Sequence, residues 1–112
     1  MLVAFSVAPS GRPADAADDW TPCDDASVHL AVAEAVRIVR ASGLPNETGP
    51  MFTTLEGSWD ECMDVVRRCC EAMERFGSRT ALVLKADIRP GHTGELTGKV
   101  ERVEDALRAA SA

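Results

Sequence analysis

Two stretches with helical apolar periodicity, 26–42 and 58–76, are each enclosed by short β-branched apolar runs, and this alternation constrains the chain most. Helices bounded in this way bury their stripes on a sheet built from the flanking strands. In the first stretch Val28, Val32, Ala35, Val36 and Val39 recur at helical steps from Ala26 to Ser42. Asp24 or Asp25 is placed to cap it and Gly43 to stop it. The second opens on Ser58-Trp59-Asp60-Glu61, a capping-box pattern with Asp60 and Asp64 favouring the positive helix end. Its apolar positions Met63, Val66, Cys70, Met73 and Phe76 run on to Gly77.

Around these helices Met1–Ala8 reads as a strand stopped by Pro9-Ser10-Gly11, and Leu44–Glu47 and Met51–Glu56 as two more about a Gly49-Pro50 turn. Arg79–Arg89 alternates cleanly: Leu82, Leu84, Ala86 and Ile88 on one side, Val83, Lys85, Asp87 and Arg89 on the other. After a turn-rich 90–94 loop, Leu96–Ala110 forms a third helix with Val100, Val103 and Leu107 in one stripe. The order is strand, helix, strand, strand, helix, strand, helix. It predicts an α+β fold, a ferredoxin-like βαββαβ sandwich with an extra C-terminal helix and both long helices on one face of an antiparallel sheet. The other face then carries Ala4 and Ser6 with Val83, Lys85, Asp87 and Arg89. It is too apolar for water and too polar for a core, as expected of an oligomer contact or a ligand pocket.

A length of 112 residues suits one domain, 1–112, with an irregular acidic loop at about 9–25. The net charge is −6 and offers no basic stripe, which excludes nucleic acid as an expected partner. The longest apolar run, Met1–Phe5, is far short of the ~20 residues a membrane span needs, and no basic residue precedes it as in a secretory signal. A cytoplasmic protein with no membrane partner is expected. Arg12 to Asp25 holds five aspartates against one arginine, a net of −4, so the remaining residues carry only −2. Trp20 within this loop reads as a packing anchor or oligomer contact, or else as part of a ligand lid. Of the four cysteines, Cys62 and Cys69 share a helix face, and Cys69 and Cys70 are poorly placed to bridge each other. Reduced thiols, at least two of them used as small core residues, are expected; redox sensing through Cys69 and Cys70 is the weaker alternative.

Nothing in the chain asks for catalysis. There is no Tyr, the histidines His29 and His92 are far apart in sequence, and no Gly-rich phosphate loop, nucleophile elbow or metal-ligand spacing occurs. The polar residues on strands are more informative: Ser6, Thr53, Thr54, Glu56, Lys85, Asp87 and Arg89. Buried, such groups must be paired. Either the charges neutralise one another across strands or subunits, or they line a pocket in which Glu56 and Asp87 face a cation or amino groups.

The motifs A-E-A-V-R-I-V-R-A-S-G-L, P-M-F-T-T-L-E-G-S-W-D-E, S-R-T-A-L-V-L-K-A-D-I-R and K-V-E-R-V-E follow one another from 33 to 104. Together they resemble the small thiamine-binding protein family, over the whole chain except roughly 9–25. The resemblance implies a ferredoxin-like domain, sheet-face dimers that pair into tetramers, and non-catalytic binding of thiamine or its hydroxymethyl pyrimidine part as ligand, with no cofactor and no metal. The matching positions are Met51, Thr53, Glu56, Gly57, Arg79, Asp87, Arg89, Lys99 and Val103. Phe52, where a small residue is common, would fill the pocket or stack on the ligand's ring. The candidate ligand-binding residues are therefore Ser6, Phe52, Thr53, Glu56, Lys85, Asp87 and Arg89. The alternatives are a ferredoxin-like enzyme of the monooxygenase type, with its pocket between sheet and helices, and a structural or regulatory homo-oligomer with no ligand.

Overall fold

The alternation of Val3, Phe5 and Val7 with Leu2, Ala4 and Ser6 makes the first strand, β1 (Leu2–Ser10), a two-faced element. In the structure, a computed structural model that describes residues 1–21 and 28–111, it lies inside a four-stranded antiparallel sheet. The other strands are β2 (Asn46–Thr48), β3 (Thr53–Glu56) and β4 (Arg79–Asp87), in the order β2-β3-β1-β4. The helices are α1 (His29–Ala41), α2 (Trp59–Ala72) and α3 (Glu95–Ser111). This is the expected ferredoxin-like α+β arrangement with a C-terminal helix added.

Register decides which side chains share a face. Val3 pairs with Leu55 and Ala86, and Phe5 pairs with Thr53 and Leu84. That row meets α1 and α2 in a core of Val3, Phe5, Val7, Ala31, Ala35, Ile38, Val39, Leu55, Cys62, Val65, Val66, Cys69 and Met73. The opposite face carries Leu2 between Glu56 and Asp87, Ala4 between Thr54 and Lys85, and Ser6 beside Val83.

The structure corrects the phase of the first helical stripe. Ala35 and Val39 of the expected stripe are buried and Val36 is half-buried, but Val28 and Val32 are exposed and Ala31 and Ile38 are buried in their place. The Cys69 thiol of α2 donates to the Ala35 carbonyl of α1 at 3.5 Å on this buried side. Val28 is the residue before α1; Cys23, Asp24, Asp25 and Ala26, with the expected aspartate cap, lie outside the described residues. In α2 the capping box forms as read, Ser58 Oγ accepting the Glu61 N–H and the Glu61 carboxylate accepting the Ser58 N–H. Met73, Cys70, Met63 and Phe76 pack on the core with it, but Met73–Arg75 tightens into a 3-10 turn and Phe76 lies beyond the helix. Gly77 is required by a close approach: a Cβ there would lie 2.5 Å from the Ser10 carbonyl oxygen.

The strand limits also shift: β2 begins at Asn46 and β3 at Thr53, because the Gly49 N–H closes the turn on the Phe52 carbonyl at 2.9 Å and leaves Met51 and Phe52 outside the ladder. The stripe of α3 is present but finds no cover within the chain. Val100, Val103 and Leu107 are 56–58% exposed, and no residue of α3 is buried. No helix among the described residues is long and apolar enough to cross a membrane.

Leu55 and Ser58 separate core packing from capping. Leu55→Ala should lower unfolding free energy by about 2–5 kcal/mol, and Ser58→Ala by about 1 kcal/mol. Urea denaturation followed by circular dichroism checks both.

Candidate functional site

The row Glu56–Leu2–Asp87 at one end of the open sheet face is where α3 meets the body. Gly94 precedes α3, its carbonyl accepting the Gly98 N–H at 2.9 Å, and a glycine has no side chain with which to cap a helix. Glu56 supplies the cap from β3, some 40 positions away. Its Oε2 accepts the Glu95 N–H at 2.9 Å and its Oε1 the Leu96 N–H at 3.2 Å. At 8% exposure it is the one buried charged residue among those described, and the positive end of the helix offsets the loss of hydration.

One turn later Lys99 Nζ reaches Asp87 Oδ2 at 2.5 Å, so α3 bridges β3 and β4 across the row. Between them lies a cavity of about 240 Å³ lined by Met1, Leu2, Asp87, Arg89, His92, Glu95, Lys99 and Arg102. Arg102 forks onto Glu95, with contacts of 2.5 and 3.5 Å, and His92 Nδ1 lies 3.8 Å from the same carboxylate. The hydrogen bond from Lys99 holds the Asp87 carboxyl below its ordinary range, and Arg102 does the same for Glu95. Arg89 adds to both effects through its charge, while its side chain makes neither a hydrogen bond nor a salt bridge among the described residues. Three basic side chains face two acidic ones, so the lining carries one net positive charge with His92 neutral.

The candidates named from sequence are thus divided. Asp87 and Arg89 line the cavity; Glu56 lies beside it with its carboxylate taken by the backbone of α3. Ser6 and Lys85 stand on the same sheet face but farther along it, Ser6 about 13 Å from Leu2 at the rise of a strand. Thr53 is in register with Phe5 and so belongs to the helix side of the sheet. Phe52 lies in the bend before β3, with its side chain partly exposed. Met1, Leu2, Glu95 and Arg102 were not singled out by the sequence. Glu95, Lys99 and Arg102 do recur at four- and three-residue spacing beside the apolar stripe, the one signal that pointed to them.

Cys62, Cys69 and Cys70 are free thiols, the first two fully buried as small core residues. Burial pushes the Cys69 thiol up to about 11 and also raises Cys62 and Cys70, so all three stay protonated at neutral pH. Among the described residues no group of three or more His, Cys, Asp or Glu side chains is placed to hold a metal ion.

A ferredoxin-like sandwich whose added helix closes a charged cavity at one end of its open face defines a small class of α+β proteins. Within it, the chain belongs to the thiamine-binding protein family, whose model matches residues 3–104. It is 45% identical over 105 residues to UPF0045 protein Mb1933 of Mycobacterium bovis, covering 93% of this chain and 91% of that protein. Solved structures share its fold, two of them as follows. One is a Thermotoga maritima protein assigned provisionally to thiamine biosynthesis or salvage, with TM-score 0.69, 28% identity, and coverage of 91% of this chain and 96% of that one. The other is a Bacillus cereus domain of unknown function, with TM-score 0.65, 31% identity, and coverage of 84% and 82%.

Replacing the distant cap tests how α3 is held. Glu56→Ala should cost about 1.5–3 kcal/mol for the lost charged hydrogen bonds. Hydrogen exchange at the Glu95 and Leu96 amides should accelerate strongly, with the amides of β1 much less affected.

Proposed function

We propose that this chain is a non-catalytic, cytoplasmic binding protein for thiamine or a related aminopyrimidine, and that the ligand is held at the β4–α3 cavity and the adjoining sheet face. The observation that carries this reading is the meeting of Asp87 and Arg89, two positions that the sequence resemblance points to, in one cavity beside a half-open sheet. The thiamine connection of the Thermotoga relative supports it. The cavity lies under α3 on the open side of the sheet and not between the sheet and the helices α1 and α2, which favours binding over a monooxygenase-type reaction.

The charges refine what is recognised. Glu56 is committed to α3, and Asp87 is neutralised by Lys99, so neither is a spare anion for a cationic ligand. Recognition then falls on hydrogen bonding to the aminopyrimidine, with Asp87 accepting from its amino group. Thiamine and free hydroxymethyl pyrimidine share that ring and should bind within about tenfold of each other. Asp87→Asn should weaken both by about tenfold, on the order of one charge-assisted hydrogen bond. Titration calorimetry measures this, and binding of both only at millimolar levels or not at all would overturn the reading.

The same reading includes self-association as a dimer or tetramer. Val83 on the open face and Val100, Val103 and Leu107 on α3 are large apolar side chains exposed to solvent, the kind of surface a second subunit covers. Sedimentation equilibrium should therefore give a multiple of 12.0 kDa, and Val103→Glu should shift it toward the monomer. A 12.0 kDa species at all concentrations would remove the oligomer.

A further inference from the structure

The charge balance of the cavity carries the inference further. Arg89, Lys99 and Arg102 converge on a space that also holds His92, against only Asp87 and Glu95. Those two carboxylates are already bound by Lys99 and Arg102. Arg89 is left over. It stands just past the end of β4, where the Arg89 carbonyl accepts the His92 N–H at 3.2 Å, so one turn holds both side chains at the rim. An unpaired guanidinium with a neighbouring imidazole, backed by two further cations, presents more N–H donors than the two carboxylates beside them use. This is the chemistry that receives a phosphate, for which the planar guanidinium fork is well matched.

Size points the same way. At about 240 Å³ the cavity is smaller than the roughly 300 Å³ at which sites for drug-sized ligands begin. It has room for a phosphate group with a single ring at its mouth, while the rest of a larger ligand extends over Ala4 and Ser6 on the open face.

We infer that the site takes the phosphate monoester of its aminopyrimidine ligand in preference to the free alcohol, with Arg89 as the phosphate-binding residue and His92 as a second donor. This deepens the proposed function and rests on it. The ester arrives with its own negative charge, so it uses the surplus cation without breaking either existing ion pair, whereas a cationic ligand would have to displace Lys99 from Asp87.

The test compares hydroxymethyl pyrimidine with its phosphate monoester, and thiamine with thiamine monophosphate, by titration calorimetry on the full chain at low salt. Each ester should bind about tenfold or more tightly than its parent, as a charge-assisted contact implies. The advantage should shrink as added salt screens it. Arg89→Gln should bring the ester-to-parent ratio toward one, and Arg89→Lys should retain part of it, since a single cation remains without the fork. Circular dichroism on each variant confirms that the fold is kept. If parent and ester bind equally, the phosphate inference fails and the aminopyrimidine reading stands. If neither pyrimidine binds in either form and inorganic phosphate gives no thermal stabilisation, both fail. If inorganic phosphate stabilises the chain against heat while no pyrimidine binds, the anion site holds and the aminopyrimidine reading falls.

Discussion

Everything outside the sheet–helix core depends on the Glu56 carboxylate. The helix α3 buries none of its residues and meets the body chiefly at β3, so its own apolar stripe does not fix it to this chain. What fixes it is one buried side chain accepting two backbone N–H groups that a glycine N-cap leaves open. A charged acceptor at a helix N-terminus is favoured by both the hydrogen bonds and the aligned peptide dipoles. Once the first turn is held there, helical geometry carries Lys99 to Asp87 and Arg102 back over Glu95, and the cavity between α3 and the strand ends follows. The buried carboxylate is thus a structural part of the site and is not available as its ligand.

The fold was legible because its signals are local and repeated. The clean alternation from Arg79 to Asp87, the capping box at Ser58 and the two-faced β1 each specify an element from a few neighbouring residues, and together they leave one plausible sheet order. The stripe of α1 was less legible. Valines and alanines are spread around most of that helix, so several phases satisfy the periodicity, and packing against α2 selects Ala31 and Ile38 over Val28 and Val32. Parity separates Thr53 from Glu56 on the two faces of β3, and sequence yields parity only when the strand's start is known; the turn that ends on Phe52 decides it.

The site was half legible for a related reason. Asp87 and Arg89 are polar residues at the end of an apolar strand, and a strand end is visible in sequence. Glu95 and Arg102 belong to the cavity only because α3 is anchored by a residue far back in the chain, and no local pattern announces such a cap. Lys85 and Ser6 carry the right chemistry on the right face, but strand rise separates them from the cavity.

Net charge illustrates how position overrides total. The chain carries −6, which would ordinarily repel an anion, yet the cavity lining is positive. The two are reconciled along β1. The cavity gathers around Met1 and Leu2 at its start, whereas the aspartate-rich segment leaves from beyond Ser10 at its other end, where Arg12 donates to the Ala17 carbonyl at 3.1 Å. At the rise of an antiparallel strand those ends lie about 27 Å apart, several times the screening length of about 8 Å at physiological ionic strength. An anionic ligand entering beside Arg89 meets a lining with one net positive charge, and this local balance differs from that of the whole chain.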